Sequence, residues 1–587
     1  MSENKPLHPD PQFERANYEC LNGTWGFSYG KIAGKENCAF DGAIRVPYCP
    51  ESELSGVHTT DFIPDCAYTR EIDVRKEDLD GKLWLRFGAV DYRAEVYING
   101  KLAGSHTGGF TAFAVEITPF VTAGRNRITV AVHDDAHEKT PRGKQSDRPD
   151  SYGCFYTRVT GIWQTVWLER TPAQYIKSLR FTPDAAHGKV RIDIAVAGKA
   201  RAEVAVTYNG RVAGRAAGEA DGNATFDIAL DEIHLWEIGA GRLYDVCVRF
   251  GDDEVKSYFG LRDVAYCGKR FTVNGKSVYQ RFVLDQGYYP RGVYTPERDA
   301  QYGEDIALAQ SLGFNGARLH QKVFAPRYLY ECDRRGFLVW GEYASWGVAI
   351  DDVRSLETLR AEWTEAVEQM RNHPCVAAWC PLNETWEDLS DATRVRDVRL
   401  PEGMYRATKS LDPTRPCVDV SGGYHGKHTD IADFHCYESY AAIKSRLQTL
   451  AYGKADFPKM YAAGEDIGYN GEPLVLSEFG GVTFNGVKPP PSACVRETAA
   501  WGYDTAQSKE AFVADYVKTV DMLLSCAELS GFCYTQLYDV EQEQNGLFTF
   551  DRKPKLGKEL MRKIAECNRR TAAIEASARE NARAGAQ

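Results

Sequence analysis

Over the first 172 residues, apolar side chains recur at every second position in short runs. Leu83, Leu85 and Phe87 alternate with Trp84 and Arg86, the period of a strand whose two faces meet different surroundings. Comparable runs at 24–29, 44–47, 68–74, 94–99, 127–132 and 164–169, with no helical period between them, predict a β-sandwich of the jelly-roll kind over 1–172. Asn99-Gly100, between Tyr97-Ile98 and Leu102, reads as a hairpin turn, because both residues tolerate positive φ. The pattern continues at 190–196, 202–208, 224–229 and 243–250, with Asn209-Gly210 as a second such turn. Residues 173–265 therefore predict a small immunoglobulin-like β-sandwich.

From residue 266 the period changes. Apolar strands at 279–285, 313–320, 336–343, 376–384, 416–421, 431–437, 473–479 and 531–539 alternate with amphipathic stretches such as 304–311, 327–335, 355–371 and 509–526. Eight βα repeats in this order predict a (β/α)8 TIM barrel over 266–570. The Ala-, Arg- and Glu-rich tail, 571–587, predicts a frayed helix or disorder. A chain of 587 residues is too long for one hydrophobic core, which agrees with three domains and a tail.

In such barrels the reactive groups stand where strands end. That rule selects Asp285, Arg318, His320, Glu342, Asn383, Glu384, Asp433, His435, Tyr437, Glu478, Tyr538 and Asp539. Glu384 follows Trp379-Cys380-Pro381-Leu382-Asn383 on the fourth strand, and Glu478 follows Leu474-Val475-Leu476-Ser477 on the seventh. Those strands face each other across the barrel mouth. Two carboxyl groups there can flank a glycosidic bond, one attacking while the other protonates the leaving oxygen. The acid needs a raised pKa; the attacking carboxylate needs a cation and donors. Arg318 and Tyr437 are placed to hold Glu478, and Asn383 to meet a sugar hydroxyl. Asp285 is a candidate for sugar hydroxyls, Trp386 for stacking on a sugar ring, and His435 for hydrogen bonding at the rim. Glu342 and His320 complete the set as supporting groups. Trp340 is expected in the core.

Composition narrows the partners. Net charge is −11 and the charges are interspersed, so no basic surface suits nucleic acid. No stretch approaches the length of an apolar membrane span. The 16 cysteines are scattered singly and no export signal precedes them, which predicts reduced thiols and a cytoplasmic protein. Cys375 and Cys380 lack a second ligand pair at finger spacing, so no metal is expected there. A homo-oligomer stays open.

Several segments resemble glycoside hydrolase family 2, the family of β-galactosidases, β-glucuronidases and β-mannosidases. Leu21-Asn22-Gly23-Thr24-Trp25, 87–92, Val96-Tyr97-Ile98-Asn99-Gly100 and Gly161-Ile162-Trp163-Gln164 resemble its sugar-binding jelly roll, and Phe259-Gly260-Leu261-Arg262 the end of its immunoglobulin-like domain. In the barrel, Cys332-Asp333-Arg334-Arg335-Gly336, His373-Pro374, Asn383-Glu384, Asp539-Val540-Glu541, Asn545-Gly546 and Asp551-Arg552 are similar to family motifs. The resemblance implies retaining chemistry with Glu384 as acid/base, Glu478 as nucleophile, and Arg318 and Tyr437 holding it. There are departures. Arg318-Leu319-His320-Gln321-Lys322 stands where the family commonly has Arg-x-Ser-His-Tyr-Pro. Tyr534 is matched to the family tryptophan of the last strand. Asn545-Gly546-Leu547 lacks the lysine that glucuronidases use for the substrate carboxylate, which argues against a uronic acid.

The leading expectation is an exo-acting retaining β-glycosidase, β-galactosidase-like, that takes an oligosaccharide or glycoside and needs no cofactor. Mannosidase, arabinosidase and furanosidase activities remain open. A non-catalytic carbohydrate-binding protein on a retired barrel and a metal-dependent barrel hydrolase are the competing readings.

Overall fold

The computed structural model describes residues 8–30, 40–385, 398–451, 461–462, 465–466, 469, 471–484 and 500–576. At the N-terminal end a six-stranded and a four-stranded antiparallel sheet lie face to face. Trp25, Phe27, Leu83, Leu85, Phe87, Val96 and Val130 fill the space between them. The alternation at 82–87 becomes the strand Lys82–Phe87, whose odd-numbered apolar residues point inward. Asn99 and Gly100 have φ of 52° and 78°, the backbone that the hairpin reading required.

A five-stranded sheet follows. Its centre is a long hairpin, Lys189–Tyr208 with Arg211–Ala229, turned at Asn209 and Gly210 with φ of 49° and 77°. The runs read as two strands, 190–196 and 202–208, are one strand with a register shift between Ala195 and Lys199. Ala197-Gly198-Lys199 offers no large apolar side chain, so hydropathy breaks there while backbone pairing resumes beyond it.

The barrel strands run parallel in the order fourth, third, second, first, eighth, seventh, sixth. Leu338–Glu342, Val376–Cys380 and Leu529–Thr535 are buried along their whole length, as strands covered on both faces must be. Pro381 interrupts the fourth strand because it has no N–H to donate. Beyond it, Leu382–Asn383 pairs with the short fifth strand Val420–Ser421. The predicted helices appear as Ala300–Ser311, Pro326–Arg335, Ser355–Met370 and Lys509–Ser525, joined by Arg399–Leu411, Tyr440–Ala451 and Lys558–Asn568.

The first residues of the predicted tail, 571–576, are described and pack against the rest of the chain. Ala572 and Ile574 are buried, and Glu575 pairs with Arg281 at 2.8 Å. Residues 571–576 thus pack on the barrel, since composition could not reveal that Arg281 awaited a counter-charge there. Among the described residues no helix is long and apolar enough to cross a membrane, and all the described cysteines are free thiols.

Candidate active site

Arg318, at the end of the second barrel strand, organises the cleft. It is fully buried, and each of its nitrogens is committed. Nε donates to Glu342 Oε1 at 2.6 Å, and one terminal nitrogen to Glu478 Oε1 at 3.0 Å and the Ser477 carbonyl at 2.9 Å. The other donates to Asn383 Oδ1 at 3.0 Å. The planar guanidinium can make these bonds at once because its donors radiate in a fixed plane. Glu342 also takes His320 Nδ1 at 3.0 Å, so it positions Arg318 and His320. Burial raises the Glu342 pKa, but Arg318 and His320 more than reverse that.

Glu478 receives a second hold from the Tyr437 hydroxyl on its Oε2. The same hydroxyl lies 2.9 Å from Thr535 Oγ1. Tyr437 stacks on Tyr503 with centroids 3.6 Å apart. Gly481, at φ 62°, permits this, since a Cβ there would lie 2.4 Å from the Tyr503 ring. Burial pushes the Glu478 carboxyl up, and His435 and Arg318 overcome both that and the repulsion of Glu384, leaving it below its usual value. Glu478 is therefore kept ionised.

Glu384 sits at φ 39°, a left-handed backbone uncommon for glutamate, with its N–H donating to the Ser421 carbonyl at 2.9 Å. Its Oε1 meets His435 Nδ1 at 2.6 Å. On the other ring face of the contact, His435 Nε2 lies 3.4 Å from Glu478 Oε1 and 3.1 Å from Ser421 Oγ. One ligand atom from each of Glu384, His435 and Glu478 falls within 4.8 Å of the others, so the two carboxylates do face one gap across the mouth. The expected rise in the pKa of Glu384 is not what the arrangement gives. Burial raises it, but the adjacent His435 cation reverses this and brings it to about 2. Burial would lower the His435 pKa, yet Glu478 and Glu384 on either side raise it. His435 thus bridges the two carboxylates, with one ring nitrogen toward each.

The other candidates divide. Asn383 has Oδ1 on Arg318 and its N–H on Ser345 Oγ at 3.1 Å, while Nδ2 is buried with no partner among the described residues, available to a sugar hydroxyl. Asp285 is a correction. It accepts from Tyr328 Oη at 2.8 Å, Gly287 N at 2.9 Å and Tyr538 Oη at 2.5 Å and is 1% exposed, so its acceptors serve the fold rather than a sugar. Asp433, likewise, is held by Ser421, Gly422 and His425 below the rim. Burial lowers the His320 pKa, and its Nε2 lies 4.0 Å from Glu478. Trp386 lies outside the described residues. Tyr534 packs against Tyr516 and Phe479 with centroid distances of 5.0 Å and 5.5 Å. Thr535, one residue on, is the group that meets the Tyr437 hydroxyl. Trp340 is in the core.

Sequence reasoning missed a whole wall. Between the strands ending at His133 and beginning at Gly161, the jelly-roll chain runs over the barrel mouth. Arg142 and Gly143 donate to the Trp346 carbonyl at 2.8 Å and 3.1 Å. Thr157 binds Glu541 through N and Oγ1 at 3.1 Å and 2.6 Å, and the Tyr156 hydroxyl binds Glu543. Lys144 and Cys154 come with this segment. The available signal was its length without alternation, since long loops of that kind in compact domains are commonly functional.

Glu384, His435 and Glu478 also carry the donor types of a metal site. The Arg318 guanidinium, 3.0 Å from Glu478 and 3.3 Å from His435 Nε2, already supplies positive charge where a dication would sit. The residues present fit a metal poorly.

A jelly roll, a sandwich and a parallel barrel with paired carboxylates at its mouth define a barrel glycosidase. Three family models match in sequence: the glycosyl hydrolases family 2 sugar binding domain over 44–172, glycosyl hydrolases family 2 over 174–262, and the family 2 TIM barrel domain over 264–567. The chain belongs to glycosyl hydrolase family 2 and is a glycosidase. It is 25% identical to the β-glucuronidase of Rattus norvegicus, covering 92% of this chain and 89% of that one. It is 26% identical to a β-galactosidase of Thermoanaerobacter pseudethanolicus over 55% of this chain and 45% of that one. The solved structure of the Faecalibacterium prausnitzii β-glucuronidase superposes with a TM-score of 0.76 at 22% identity, covering 95% of this chain and 99% of that one.

Proposed function

We propose that this glycosidase is an exo-acting, retaining β-glycosidase acting on neutral sugars, with β-galactosides the first substrates to try. The observation that carries the reading is the placing of Glu478. It is gripped by Arg318 and Tyr437, kept ionised, and set with a Glu384 oxygen within 4.8 Å through the shared His435 cluster. That spacing suits the separation of about 5–5.5 Å used for attack by one carboxylate and proton transfer by its partner.

In the first step a Glu478 oxygen bonds to the anomeric carbon as the glycosidic C–O bond breaks, and Glu384 hands a proton to the departing oxygen. The proton reaches Glu384 from His435 across the 2.6 Å contact. In the second step Glu384 takes a proton from water and passes it back to His435 across the same contact, the water oxygen bonds to the anomeric carbon, and Glu478 leaves with its electron pair. Net configuration is retained. Asn383 Nδ2 donates to a sugar hydroxyl, a bond that strengthens as positive charge develops on the ring.

A panel of nitrophenyl β-glycosides tests the activity, and a 2-deoxy-2-fluoro glycoside tests the intermediate. Turnover of a neutral hexoside with mass trapped on the peptide carrying Glu478 supports the reading. Binding of sugars with no turnover of any member would establish a non-catalytic carbohydrate-binding protein instead. Because several relatives bear the name β-glucuronidase, a β-glucuronide belongs in the panel.

A further inference from the structure

The steps above leave one cation of the cleft unused. Lys144 lies in the jelly-roll segment over the barrel mouth, and its backbone is fixed on two sides. Its carbonyl accepts from Tyr156 N at 2.8 Å. The preceding Gly143, at φ 61°, passes so close to the barrel that a Cβ would lie 2.2 Å from the Gln321 carbonyl oxygen. The side chain runs inward and is 6% exposed. Its ammonium stands 4.1 Å from the centroid of Trp346, whose Nε1 donates to the Asn383 carbonyl at 3.0 Å, immediately before Glu384.

Among the described residues no oxygen accepts a hydrogen bond from this ammonium and no carboxylate stands in ion-pair range. Its polar neighbour is the Cys154 thiol. Burial would lower its pKa, but Cys154, Glu543, Glu384 and Glu478 around it raise it, so it stays charged. The cleft thus gives Lys144 ample counter-charge and leaves its N–H donors short of acceptors, which is costly for a desolvated ammonium.

Resting on the β-glycosidase reading, we propose that Lys144 is a glycone-binding residue that donates to hydroxyl oxygens of a neutral sugar, so that the jelly roll completes the sugar subsite. Hydroxyls supply acceptors without charge. A uronate would bring one more negative group into a cleft whose Glu342, Glu384 and Glu478 are already held below their usual pKa values as anions. The last barrel loop, Asn545-Gly546-Leu547, adds no further cation.

The test compares a nitrophenyl β-hexoside that the wild type turns over, its monodeoxy analogues and the matching β-uronide, in wild type and Lys144→Met. The expected result is a loss of about 10- to 100-fold in kcat/KM for Lys144→Met, the size of a hydrogen bond to a charged group. One deoxy analogue should suffer a similar loss in the wild type and none further in the variant. Wild type should favour the hexoside over the uronide. A wild type that prefers the uronide, or deoxy penalties identical in both proteins, would overturn the assignment. The wild-type comparison stands even if the variant folds poorly. Failure of the underlying reading looks different: no member of the series is turned over and no fluoro sugar attaches to Glu478.

Discussion

Replacing Arg318 by methionine removes the group on which the cleft is hung. Four hydrogen bonds disappear, to Glu342, Glu478, Ser477 and Asn383, at 2.6–3.0 Å. Both carboxylates are almost wholly buried, with 1% and 4% of their side chains exposed. Taking away one partner of a buried ion pair costs about 3–5 kcal/mol, because the remaining charge keeps its desolvation penalty. If about 3 kcal/mol of that is felt in the transition state, kcat/KM falls roughly 100-fold at pH 7, since about 1.4 kcal/mol is a factor of ten. The pH profile carries the sharper signature. Glu478 is held below its usual pKa against burial by His435 first and Arg318 after it. Without Arg318 the carboxylate takes up a proton at higher pH, so the acid limb of kcat/KM moves upward. Arg318→Lys keeps a charge but cannot reproduce the fan of donors; it should lose activity while leaving the acid limb closer to wild type. The assay is kcat/KM from pH 4 to 9 on a nitrophenyl glycoside, with thermal unfolding as a control. Activity of Arg318→Met within threefold of wild type, with an unmoved acid limb, would refute the reasoning.

Further outcomes follow from the same geometry. Glu478→Ala should lose several orders of magnitude in kcat and regain turnover with azide as an α-glycosyl azide, whereas Glu384→Ala should suffer mainly with poor leaving groups; identical leaving-group dependence in the two variants, measured by initial rates, would contradict the assigned roles. Lys322, caged by Tyr294 and Phe324 at 4.1 Å and 4.6 Å, has its pKa lowered by burial to about 7. Its unfolded form binds the proton up to about pH 10.4, so between about 7 and 10 the unfolded state holds more protons and this group's contribution to stability rises with pH. Lys322→Met should therefore show a thermal midpoint advantage that shrinks over that window, read by calorimetry at pH 7, 8 and 9; a constant gap would contradict the shift. Dialysis against a chelator should leave turnover undiminished, because Arg318 supplies the charge a metal would bring; loss of activity restored by a divalent ion would reinstate the metal-dependent reading.

Much of this was legible along the chain because it depends on local periods. Period-two alternation at 82–87, the Asn-Gly turns, and buried runs ending in Glu384 and Glu478 are properties of a few neighbouring residues, and each reappears in the fold. The rule that barrel chemistry gathers at strand ends then collected Arg318, Asn383, His435 and Tyr437 without coordinates. It also collected Asp285, because strand-end position does not say whether a carboxylate's lone pairs are already taken. Tyr328 and Tyr538, far away in sequence, take them.

What the sequence by itself determined is the set of elements, their order, and the residue types at the barrel rim, since these follow from backbone preference and the burial of alternate side chains. Only the tertiary structure decided where the protons and charges lie. The contact that brings Glu384 to about 2 joins residues 51 positions apart, and Lys144 reaches the cleft from a different domain. Electrostatic coupling falls off with distance in space and rises with exclusion of water, and neither quantity is written in the order of residues along a chain.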